Sequence, residues 1–95
     1  MDIGRELRVA ISTGKVWFGI RQTQKALKNK NAKLVIFASN FEEKYIESIK
    51  EKVPTYNFSG TNFELGAICG KPFSISVLTI IEPGESGILA LVKNE

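Results

Sequence analysis

The 95 residues, 43% of them hydrophobic and 24% charged, suit one soluble domain, because a chain of this size buries roughly 60 to 70% of its unfolded surface and can hardly divide that core in two. No stretch reaches the roughly 18 apolar residues of a membrane span, MDIGRELR lacks the basic-then-apolar order of an export signal, and the lone Cys69 has no partner for an internal disulfide. A cytoplasmic protein is therefore expected, with Cys69, set in AICG, as a small buried side chain rather than a nucleophile. The net charge of +3 is unevenly spread, with seven basic residues (Arg8, Lys15, Arg21, Lys25, Lys28, Lys30, Lys33) and no acid between Leu7 and Phe41, so that the rest of the chain nets −4.

In chain order, Asp2 caps a helix whose apolar positions Ile3, Leu7, Ala10 and Ile11 follow helical spacing, weakened by Gly4 and ended at Gly14. Val16 to Phe18 reads as a short strand. After Gly19, Ile20, Thr23 and Leu27 recur at helical spacing until Asn29-Lys30-Asn31 closes the segment. Ala32 to Ala38 contains LVIFA, continuously apolar as a strand covered on both faces should be. Asn40 is expected to cap the next helix, with Glu42 and Glu43 in its first turn and Lys50 and Lys52 in its last, charges that suit the helix dipole. Pro54 ends it, and Thr55 to Phe58 forms a brief strand with Tyr56 and Phe58 on one side.

Thr61-Asn62-Phe63-Glu64 fits a capping box, in which the Thr61 hydroxyl and Glu64 carboxylate satisfy each other's free backbone donors, and opens a short helix through Cys69. Lys71 to Ser74 is a loop, Ile75 to Ile81 a strand and Pro83 to Ser86 a turn; the final ILALV is short enough to fit either helix or strand, and helix is the favoured reading. Strands and helices alternating in this way predict an α/β fold, a three-layer α/β/α sandwich on a four-stranded mixed sheet, filling residues 1–95 as a single domain.

The chemistry of catalysis is missing. There is no histidine, one cysteine and scattered carboxylates, so the chain lacks the usual general base and any nitrogen- and sulfur-rich metal cluster. Neither GxxxxGK[ST] nor GxGxxG occurs. The expectation is a non-enzyme with no metal and no cofactor. What remains is binding, and a segregated positive field suits a polyanion, since neutralised phosphates release their counterions.

Gly19 stands where a strand hands over to a helix. There it lets another backbone approach closely while the first free N–H groups of the helix, which bind anions readily, face outward. Arg21, Lys25 and Lys28, at i, i+4 and i+7, share one face, with Gln22 and Gln24 beside it. The competing reading is a tight turn followed by a solubilising helix face, and charge alone leaves the two level. Phe73, in a polar loop after Lys71-Pro72, offers a stacking surface of the kind RNA recognition uses for splayed bases. A phenylalanine folded into the core is the alternative.

The ordered set TGK at Thr13 to Lys15, G-x-R-x-T-x-K at Gly19 to Lys25, AKLVIFASN at Ala32 to Asn40, GTNFELG at Gly60 to Gly66, GKPF at Gly70 to Phe73 and EPGES at Glu82 to Ser86 resembles the L-thirty-e branch of the L-seven-A-e superfamily. These are ribosomal and kink-turn RNA-binding proteins with an α/β/α sandwich. Where the superfamily often has G-x-N-E-x-x-K, this chain keeps Gly19 and Lys25 but has Arg21 and Gln22, as the L-thirty-e branch does. That departure argues against a box C/D small-RNA role.

The resemblance implies that Gly19, Arg21 and Lys25 meet sheared G·A pairs and phosphates at the kink, that Asn40 reaches a base, and that Phe73, Ser74 and Ile75 form the loop receiving a bulged nucleotide. Gln22 and Lys28 complete the expected RNA-binding set. Ser74, where the branch sometimes has arginine, leaves one contact weaker. Capping and packing account better than RNA contact for Glu64, Leu65 and Gly66.

The implied protein is a constituent of the large ribosomal subunit, located with the ribosome in the cytoplasm and monomeric when free. Its partners are ribosomal RNA with a kink-turn or related loop and neighbouring ribosomal proteins, with no membrane. Compactness without eukaryotic extensions suggests an archaeal source. Rival readings are a kink-turn binder acting on regulatory or guide RNA, a phosphate-ligand binder at the Gly19 helix end, and a protein-docking module using Trp17 or Phe63.

Overall fold

Residues 2–92 are described by the computed structural model. The first helix, α1 (Ile3–Thr13), starts where the Asp2 carboxylate accepts from the Arg5 N–H at 3.2 Å. Strand β1 (Lys15–Phe18) follows, then α2 (Ile20–Lys28), β2 (Leu34–Phe37), α3 (Glu43–Lys50), β3 (Thr55–Asn57), α4 (Asn62–Ile68) and β4 (Val77–Glu82). The ILALV segment, Ile88–Val92, is a 3₁₀ helix rather than an α-helix.

The strands lie in the order β1-β4-β2-β3. β4 runs antiparallel to both β1 and β2, while β2 and β3 are parallel, so the sheet is mixed. The first and last strands in sequence are neighbours because β4 inserts between β1 and β2, a pairing no local pattern could announce.

Alternation along the two central strands builds two cores. Leu34, Ile36, Leu78 and Ile80 point to one face, where they meet Leu7 and Ala10 of α1, Leu65 of α4, Cys69 just after it, and Ile88. Val35, Phe37 and Val77 point to the other face, against Ile49 of α3, Val53, and Ile20 and Leu27 of α2. Both faces being covered explains why β2 reads as a continuous apolar run. Each fully buried leucine or isoleucine here contributes about 1.5 to 3 kcal/mol over exposure. Thr23 of α2 and Thr79 of β4, both fully buried, satisfy each other through a 2.7 Å hydroxyl–hydroxyl bond that ties α2 to the sheet.

Several expected boundaries shift. Asn40 does not cap α3; the residue at the cap is Glu42, which makes no side-chain capping bond. The Asn40 amide is committed elsewhere, to Asn62. β4 begins at Val77, two residues after the expected Ile75. Ile75 instead donates its N–H to the Asn62 carbonyl at 2.9 Å and buries its side chain in the core before the strand starts. α3 stops at Lys50, so Lys52 lies beyond its last turn.

Candidate nucleic-acid interface

Three chain segments meet at one end of the sheet: the β1–α2 junction, the residues after β2, and the loop before β4. They surround an open groove of about 620 Å³ whose lining includes Phe18, Gly19, Ile20, Asn40, Asn62, Phe73, Ser74 and Ile75.

Gly19 is the N-cap of α2, with φ +94°, a conformation that glycine tolerates and other residues seldom adopt. Its N–H donates to the Val77 carbonyl at 2.9 Å, so the turn is anchored to the start of β4. A Cβ there would meet no atom within 4 Å. The glycine is needed for its dihedral angle, and the space above it is open for an approaching ligand. No side chain caps α2, and its first intrahelical bond is from the Thr23 N–H to the Gly19 carbonyl at 3.0 Å. The N–H groups of Ile20, Arg21 and Gln22 therefore point out at the positive end of the helix dipole, an arrangement that suits an anion.

Arg21, Gln22 and Lys25 are exposed on this helix. Lys25 leans toward β1, its Nζ 5.9 Å from the Trp17 ring centre. Lys28 is a different case. It lies seven residues beyond Arg21, about 10 Å along the axis, and lines grooves facing α3 instead of the one at the sheet end. The expected stripe thus splits, with Arg21 in the first turn of α2, Lys25 beside Trp17 and Lys28 at the opposite end of the helix; none of the three lines the sheet-end groove.

Asn40 and Asn62 form a closed pair. The Asn40 amide donates to Asn62 Oδ1 at 2.8 Å, and its own carbonyl oxygen accepts from the Asn62 backbone N–H at 3.1 Å. This fixes the Asn40 carboxamide while leaving the residue exposed at the groove. Asn62 in turn is set by the capping box of α4, in which the Thr61 N–H donates to Glu64 Oε1 at 3.1 Å and the Glu64 N–H to Thr61 Oγ1 at 3.3 Å.

Phe73 is 53% exposed, which rules out the core alternative. Its ring stands edge-on to Phe18, centroids 6.4 Å apart, and Lys71 Nζ sits 5.5 Å from the centre of that same Phe18 ring. An aromatic–cation layer therefore borders the groove. The loop is held from below by α4, where the Lys71 N–H donates to the Gly66 carbonyl at 3.0 Å and a Cβ on Gly66 would run into the Phe73 carbonyl oxygen. Gly66 is thus explained by packing. Ser74 is exposed beside Phe73, whereas Ile75, with its side chain 3% exposed, serves as the groove's apolar floor.

Asn62, Phe18 and Lys71 belong to this site although sequence reasoning did not select them. Asn62 was hidden inside the capping-box motif, and its pairing with a residue 22 positions before it has no local signal. Of the two aromatics considered for protein docking, Phe63 is 73% exposed and Trp17 is half-buried beneath Lys25. Cys69, 4% exposed, has its thiol pushed up to about 11, chiefly by burial, against the opposing influence of Lys71 and Arg8. It is not a nucleophile at neutral pH. Among the described residues no group of three or more His, Cys, Asp or Glu could hold a metal ion.

These features define a class: an α/β/α sandwich that offers free helix N–H groups, a guanidinium, a fixed carboxamide and an exposed ring at one end of its sheet. The chain belongs to the Ribosomal protein L7Ae/L30e/S12e/Gadd45 family, which matches residues 1–90. It is 44% identical to the large ribosomal subunit protein eL30 of Methanothermobacter thermautotrophicus, over 97% of this chain and 99% of that protein. It is 46% identical to the eL30 of Methanococcus vannielii, over 100% and 94% of the two chains, and 44% identical to that of Pyrobaculum calidifontis, over 99% and 98%. All three sources are archaea, which fits the expected archaeal origin, and the shared name is that of a ribosomal component and not of an enzyme.

Proposed function

We propose that this chain is a non-catalytic constituent of the large ribosomal subunit, and so cytoplasmic, that binds ribosomal RNA at a kink-turn-like motif as a single RNA-binding domain. The observation that carries the reading is the convergence on one groove of the uncapped α2 N-terminus, the fixed Asn40 and the exposed Phe73, with Arg21 exposed in the first turn of α2. The N–H groups and Arg21 take backbone phosphates and base edges at the kink, Asn40 reads a base through a carboxamide held in one orientation, and Phe73 stacks on a nucleotide turned out of the helix. The high identity to proteins named eL30 over nearly their full lengths supports the ribosomal assignment.

Crosslinking in cells of the source organism, followed by sequencing of the attached RNA, tests the proposal together with co-sedimentation on sucrose gradients. Recovery of large-subunit ribosomal RNA at an internal loop, with the protein travelling with large subunits, is expected. Recovery of a small guide RNA or a message leader from fractions free of subunits would move the protein outside the ribosome.

A further inference from the structure

The groove at the sheet end does not stop there. Ile20 and Tyr45, which line it, also line a second groove of about 350 Å³ between α2 and α3, together with Gln24, Ser48, Lys28 and Lys52. That one shares Leu27, Lys28 and Lys52 with a third, of about 540 Å³, completed by Lys30 and Ala32. The three make a continuous track along α2. In the two distal grooves every charged lining residue is a lysine. Lys28, Lys30 and Lys52 are exposed, and neither ion pair found among the described residues, Lys15–Glu82 and Lys44–Glu42, involves them.

Lys30 adds an independent observation. α2 ends with the Asn31 N–H donating to the Ala26 carbonyl at 2.9 Å and the Lys30 N–H to the Leu27 carbonyl at 3.2 Å, the closing pattern that places its next-to-last residue in the left-handed region. Lys30 has φ +59°, the one non-glycine residue with positive φ among those described. Glycine would fit that position with less strain. A lysine kept where the backbone prefers glycine points to a use for its charge. Lysines near helix C-termini also complement the dipole, but that effect needs no groove and no track leading to it.

We propose that the α2–α3 groove carries a second stretch of RNA backbone beyond the kink, its phosphates held at the distal end by Lys28, Lys30 and Lys52 and its sugars over Gln24, Tyr45 and Ser48. The occupant is RNA because the track runs on from the proposed site, where Glu42 is the charged lining residue, into two distal grooves whose charged lining residues are all lysines. This inference rests on the reading of the chain as an RNA-binding protein.

The test compares the full-length protein with Lys30→Gly/Lys52→Gln and with Arg21→Ala, each titrated at several salt concentrations against a kink-turn hairpin and an uninterrupted RNA duplex of equal length. For the double variant the salt slope should fall by about two units on both RNAs, one for each phosphate that a lysine no longer neutralises, while the melting temperature stays the same or rises. Arg21→Ala should weaken the hairpin alone. Unchanged slopes for Lys30→Gly/Lys52→Gln would overturn the inference, as would a dependence on these lysines seen with polyglutamate and absent with both RNAs. A wild-type protein that does not prefer the hairpin to the duplex would sink the kink-turn reading, and the duplex titration would still decide the role of the lysines.

Discussion

At the scale of single residues, Phe73 is where fold and function separate most cleanly. Its ring is 53% exposed with one edge contact to Phe18, so Phe73→Ala should cost only about 0.5 to 1.5 kcal/mol of folding stability, the worth of an aromatic pair. If the ring stacks on a nucleotide, the same change should remove about 1 to 3 kcal/mol of RNA affinity. A melting curve with an RNA titration checks both, and normal affinity would take Phe73 out of the site. The exposure was partly legible: Pro72 and Ser74 make a poor frame for a buried ring. Lys71 was visible beside Phe73 in the sequence, but its contact with the Phe18 ring was not, because Phe18 comes from a strand far back in the chain. Cys69 gives a second residue-scale prediction. Burial raises its thiol to about 11 in the folded state, so unfolding exposes a stronger acid. The stability it contributes is complete below the ordinary thiol range near pH 8.5, and it is lost as pH rises from there through about 11. Wild type should therefore lose more melting temperature than Cys69→Ala across that window, and identical profiles would refute the burial.

At the scale of elements, α4 governs the loop that carries Phe73. Alanine ordinarily favours a helix over glycine by up to about 1 kcal/mol. At Gly66, however, the added Cβ would strike the backbone of Phe73 and Ser74, so Gly66→Ala should destabilise by about 1 to 3 kcal/mol, as overpacking does, and should weaken RNA binding by moving Phe73. A stabilised variant with full affinity would show that α4 does not support the loop. Capping explains how much of such elements a sequence discloses. Thr61 and Glu64 are three residues apart and their box was readable. Asn40 looked like the same kind of signal, yet its carboxamide is taken by Asn62, and α3 starts with an uncapped Glu42. A helix start can be read when its hydrogen bonds close within a turn, and it is obscured when a distant residue claims the side chain.

At the scale of the whole molecule, the alternating pattern specified three layers, whereas the insertion of β4 between β1 and β2 brought the Gly19 turn and the Phe73 loop to the same end of the sheet. The result is a rigid centre with an unsatisfied rim, and hydrogen exchange should reveal both. Val35–Phe37 of β2 and Leu78–Ile80 of β4 are buried and have strand partners on both sides, so their amides should exchange only through global opening, typically about 5 to 15 kcal/mol. The amides of Ile20, Arg21 and Gln22 precede the first intrahelical bond and have no capping side chain, so in free protein they should exchange quickly. Adding a kink-turn RNA should slow these three selectively, because phosphate oxygens would supply the missing acceptors, while the slowest amides change only as far as binding raises global stability. Amide exchange followed by NMR, with and without RNA, makes the comparison in one sample. Protection confined to the Phe63 surface, with Ile20 to Gln22 still fast, would mean that the molecule meets RNA with a different face.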